Sequence, residues 1–146
     1  MRILAAILLL AFAASPALAQ TDDDVFAALE GVYGIEAAGN FDAYFTTITT
    51  AFAEGDSQAL ADMGSYPFEV AANGEFYDIF TPQDFTGNFD ALLLPETIDA
   101  IANQDYADLI VTDEGVGFAN GALWLANVCS DDSCSTSDWL ITRINN

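Results

Sequence analysis

Histidine and lysine are missing altogether, and only two arginines, Arg2 and Arg143, oppose 23 Asp and Glu residues. Each absence removes a class of function. Without histidine, neither a Ser–His nor a Cys–His nucleophile can be assembled. Zinc has only two cysteines to bind and no imidazole. A chain so poor in cations has nothing to set against phosphates or an anionic membrane, so nucleic acid and anionic lipid are excluded as partners. Salt bridges cannot hold the fold. The Asp clusters lack the D-x-D-x-D-G spacing of a calcium loop, and there is no G-x-S-x-G, P-loop or dinucleotide fingerprint. No cofactor, no metal and no catalytic residue is therefore assigned, and the chain reads as non-catalytic.

The 146 residues suit one domain after a leader. Met1–Ala19 has the pattern of a secretory signal peptide: Arg2, the apolar run Ile3–Ala14, the break Ser15-Pro16, and Ala17-Leu18-Ala19 as a cleavage site. The expected domains are 1–19 as signal and 20–146 as a single α+β unit, periplasmic or extracellular. One arginine against 23 acids leaves the mature chain a side-chain charge of −22. The expected partners are a second copy through the sheet, a cationic or exported protein, or a small apolar ligand. No membrane span is expected in the mature chain. Cys129 and Cys134, spaced C-S-D-D-S-C, read as a disulfide closing a hairpin loop.

The longest charge-free, β-rich run is Gly115–Cys129, and with Ser135–Ile144 it organises the chain. Upstream, Gln20–Asp24 reads as frayed. Val25, Leu29, Val32 and Tyr33 share a helical face that Ala37–Asn40 ends. Asn40 reads as the N-cap of a second helix, in which Phe41, Tyr44, Phe45, Ile48 and Phe52 form one stripe and Gly55 stops the chain. Asp56 caps a short helix. Asn73-Gly74 marks a two-residue hairpin turn between Phe68–Ala72 and Glu75–Ile79. Thr81-Pro82 and Pro95 open two more helices, and Ala107–Thr112 reads as a strand. Beyond it, Asn120-Gly121 is either a second hairpin turn, pairing Phe118 with Leu123 and Gly117 with Trp124, or a bend within one long strand. If Cys129 faces Cys134, then Trp124 meets Trp139, Leu123 meets Leu140, and Arg143 lies opposite Asn120.

Three stretches carry a resemblance: Tyr66-Pro67-Phe68-Glu69-Val70 with Asn73-Gly74, Gly115–Leu125, and Trp139–Asn145. In these, and in the order helices, hairpin, helices, long strands, the chain resembles exported bacterial members of the nuclear-transport-factor-2-like, cystatin-like superfamily. The resemblance implies N-terminal helices packed on a curved antiparallel sheet that makes a cone. It favours the single bent strand over the second hairpin. The superfamily's enzymes (ketosteroid isomerase, scytalone dehydratase and others) place acids, tyrosines or histidines in the cone. Tyr44, Tyr66, Tyr77 and Asp78 match by residue type alone, and no motif carries a role to them. A structural or protein-interaction domain is therefore the first reading. An aromatic cone binding a small molecule through Tyr44, Tyr66 and Trp124 is the second, and an isomerase, dehydratase or hydrolase using Asp and Tyr is the third.

Overall fold

The structure, a computed structural model, describes Ala19–Asn146. The signal-peptide reading lies almost wholly outside the described residues. Thr21 opens the first helix, Asp22–Tyr33 (α1). Its hydroxyl accepts from the Asp24 N–H, while the Asp24 carboxylate accepts from the Thr21 N–H at 2.9 Å. This reciprocal cap, together with Gln20 donating to the Leu109 carbonyl, orders the segment expected to fray.

The second helix, Ile35–Glu54 (α2), starts at the Gly34 joint rather than at Asn40. Ala37 and Ala38 are buried on its inward face, so Gly39 and Asn40 stay helical on the exposed side, where they cost only propensity. The rest of the helical reading holds: Gly55 is left-handed (φ 66°), and Asp56 caps Ser57–Asp62 (α3). Strands Gly64–Ala72 (β1) and Glu75–Ile79 (β2) turn at Asn73 (φ 55°) and Gly74 (φ 79°). Thr81 caps Pro82–Leu92 (α4), and Pro95–Ala102 (α5) follows. Ala107–Asp108 belongs to a 3-10 turn, so the third strand is only Ile110–Thr112 (β3). Gly115–Phe118 (β4), Leu123–Cys129 (β5) and Ser137–Asn145 (β6) complete an open six-stranded sheet in the order β2-β1-β6-β5-β4-β3.

The class is α+β, as expected, but the sheet is mixed. β1 and β6 run parallel, and every other pair is antiparallel. A parallel pair needs a long crossover, and the chain between β1 and β6, β2 included, supplies it.

Two expectations fail at the last strands. The single bent strand is replaced by a hairpin: Phe118 pairs with Leu123 and Gly117 with Trp124. Ala119 (φ 48°), Asn120 (φ 56°) and Gly121 (φ 90°) are all left-handed, which reverses the chain rather than bending it. The tryptophan pairing is also overturned. Trp124 lies opposite Arg143, and Trp139 opposite Asn127. Leu123 meets Ile144 rather than Leu140, and a bulge follows Trp124. Cys129 and Cys134 are bonded, with Cα atoms 4.8 Å apart, but Cys129 pairs with Ser137 on the ladder. The cause is Asp131. Its carboxylate gathers Ser133, Ser135 and Thr136, so the loop extends to Thr136 and the bridge closes inside it.

The helices cover one sheet face. Across β4, β5, β6 and β1 the buried row Phe118–Leu123–Ile144–Val70 meets them, with Trp139, Phe41, Phe52 and Phe85 filling the layer between.

Candidate functional site

Between the helices and the sheet the aromatic rings touch one another. Phe41 lies edge-on to Trp139 (4.9 Å), Phe45 stacks on Phe118 (5.7 Å) and meets Tyr106 edge-on (5.0 Å), and Tyr33 meets Trp139 at 4.7 Å. The Trp139 indole N–H donates to the Ala37 carbonyl at 3.2 Å. Of the helical stripe, Phe41, Ile48 and Phe52 are buried in the core, and Tyr44 and Phe45 are partly buried against it.

The structure does not bring Tyr44, Tyr66 and Trp124 together. Tyr66 belongs to the helix side of β1. Its hydroxyl donates to the Ala61 carbonyl at 2.7 Å and its ring packs on Phe68. Burial, then the nearby Asp62 and Asp84, push its phenol up to about 12. Trp124 belongs to the opposite, outer face. An added Cβ at Gly117 would stand 3.3 Å from its ring, as would one at Gly121, so the indole lies over both glycines. Its N–H donates to the Gly121 carbonyl, and the Arg143 guanidinium sits 5.3 Å above the ring. This outer row runs across all six strands as Ile110–Gly117–Trp124–Arg143–Glu69–Asp78.

Tyr44 alone lines a groove, of about 610 Å³, between the start of α2 and the Ser135–Asp138 segment. Its hydroxyl donates to Asp138 Oδ1 at 2.9 Å, and Ser130 donates to Oδ2 at 2.7 Å. This is an acid–tyrosine pair by residue type, its two members hydrogen-bonded to each other. Hydrogen bonds from Ser130 and Tyr44 lower the Asp138 carboxyl, while burial and then Asp138 raise the Tyr44 phenol. Asn127 Nδ2, in the wall of this groove, is buried without a hydrogen-bond partner.

Tyr77 and Asp78 sit on β2, on alternate sides of the strand. The Tyr77 hydroxyl donates to Glu75 at 2.9 Å, a bond that raises its phenol. A second groove, about 460 Å³, lies between β2 and α4, lined by Tyr77, Ile79, Phe80, Asp84 and Leu92 among others. Beside it Phe76 and Phe80 are 73% and 65% exposed, the two most exposed aromatic rings of the described chain. Sequence reading missed this concentration. The signal was present in Phe76-Tyr77 and Phe80 flanking one buried residue, but burial of a short strand cannot be told from its letters.

Among the described residues no three His, Cys, Asp or Glu side chains gather to hold a metal ion, and no helix is long and apolar enough to cross a membrane. Compared with family models, curated proteins and solved structures, the chain finds no match in any of the three.

Proposed function

We propose that this is an exported, acidic, non-catalytic domain that works by holding another protein, in keeping with the superfamily resemblance of its strands. The observation that carries the reading is the contrast between the two sides of the sheet. The aromatic layer under the helices is occupied by its own rings, whereas the outer row with Trp124 and the β2 edge with Phe76 and Phe80 have no covering element among the described residues. Exposed aromatic surface of this kind marks interaction sites. Export is supported by the Met1–Ala19 pattern and by the Cys129–Cys134 bridge.

A second reading, a small polar ligand in the Tyr44 groove, is favoured by one observation, the unpartnered Asn127 amide nitrogen in its wall. Native mass spectrometry of Gln20–Asn146, isolated from its own source without refolding, separates the two. The expected spectrum contains polypeptide masses alone, including a complex with another polypeptide. A persistent adduct of small-molecule size would overturn the interaction reading in favour of the ligand.

A further inference from the structure

We infer that the free edge of β2, with the groove between it and α4, takes an extended basic segment of another polypeptide as an added strand. This deepens the interaction reading and rests on it.

The backbone comes first. The turn at Asn73-Gly74 is closed by the pair Ala72–Glu75, and Val70–Tyr77 and Phe68–Ile79 continue the register. In an antiparallel pair closed by a two-residue turn, the closing pair exchanges hydrogen bonds and alternate pairs follow suit. Phe76 and Asp78 therefore aim their N–H and C=O groups away from β1. β2 is an end strand of the sheet, with β1 its one neighbour among the described residues. Such a row is a template for strand addition.

The side chains then choose the occupant. Glu75 and Asp78 stand on the edge, and Asp84 lines the groove beside it. The one basic residue of the described chain, Arg143, lies two strands away over Trp124. A second copy pairing edge to edge would add the Glu75 and Asp78 charges of one chain to those of the other on a chain already strongly negative, so self-pairing is opposed. A basic segment meets opposite charge instead. Alternate residues of the added strand would fall on opposite sides. One set lies beside Phe76 and Asp78 on the outer face, where an apolar side chain packs on the ring and a basic one meets the acid. The other lies over the groove, where a lysine or arginine stem rests against Tyr77 and Phe80 while its head reaches Asp84. The acids alone could be read as guards that blunt a sheet edge. Guards do not account for Phe76 and Phe80, which add apolar surface to the edge rather than remove it.

The probe is a short, end-blocked peptide of alternating lysine and valine, titrated into disulfide-bonded Gln20–Asn146 and followed by backbone NMR. Saturable binding is expected, with the Phe76 and Asp78 amides shifting and becoming protected from hydrogen exchange. The same peptide N-methylated at alternate residues along its pairing edge keeps its charge but cannot donate, and should bind about tenfold more weakly or worse. Phe76→Ser with Phe80→Ser should weaken the unmethylated peptide several-fold while leaving the spectrum of the core unchanged. If the methylated peptide binds equally well, if the shifts spread over the acidic surface without protection at Phe76 and Asp78, or if neither peptide binds, strand addition at β2 is overturned. The broader interaction reading survives those results and falls only to a small-molecule adduct in the native mass spectrum.

Discussion

The two tryptophans stand on opposite faces of one sheet and meet opposite fates. Trp139 is 1% exposed, edge-on to Tyr33 and Phe41, with its N–H bonded to the Ala37 carbonyl of α2. Trp124, one strand away, is half-buried by its own neighbours: it lies over Gly117 and Gly121, bonds the Gly121 carbonyl, and carries Arg143 on its other side. One tryptophan ties layers together and the other closes a surface. The difference shows that the same residue type on adjacent strands is assigned its work by which face the register turns it to.

Removing each ring should measure that difference. Trp139→Ala empties the contact between sheet and α2 and should cost about 3–5 kcal/mol in urea unfolding. Trp124→Ala loses a ring already half in water and should cost about 1–2 kcal/mol. Equal costs would mean the outer face is as well packed as the inner. Tyr66, on the inner side, adds a pH limb. Its folded phenol is raised to about 12 from an ordinary 10, so the neutral form belongs to the folded state. That contribution is intact below pH 10 and is lost as pH rises through about 12. Phenolate absorbance should place Tyr66 at the late end of the tyrosine titration, and Tyr66→Phe should remove one phenol from that late limb and flatten the alkaline loss of stability. Phe76→Ser is the smallest expected effect on folding, within about 0.5 kcal/mol. A larger cost would mean that Phe76 packs within the fold and is not available to a partner.

Local chemistry was legible where a residue acts on its own backbone. Thr81 with Pro82, Asp56, Gly55 and Asn73-Gly74 all do what their types predict, because caps and tight turns are decided within a few residues. The start of α2 was not legible, since burial of Ala37 and Ala38 against the rest of the chain outweighs the signals at Gly39 and Asn40. Nor was the last register: Asp131 draws Ser133, Ser135 and Thr136 into the loop, and the bulge after Trp124 shifts the ladder again. Of the proposed pocket residues only Tyr44 lines a described groove. The exposed aromatics of β2 went unnoticed, because nothing local distinguishes an end strand from a central one.

Composition by itself determined that the chain has no imidazole or lysine amine to work with and that its charge is overwhelmingly negative, with 23 acids against two arginines. The order of its local patterns gave the α+β class, and the spacing of its two cysteines the Cys129–Cys134 bridge. Only the tertiary structure decided that β6 lies between β1 and β5, that Trp124 and Trp139 face apart, and that β2 ends the sheet with its aromatics bare. Strand order and facing are set by which long-range pairs form. The free energies that choose among them come from burial summed over the whole core, which no local stretch of sequence contains.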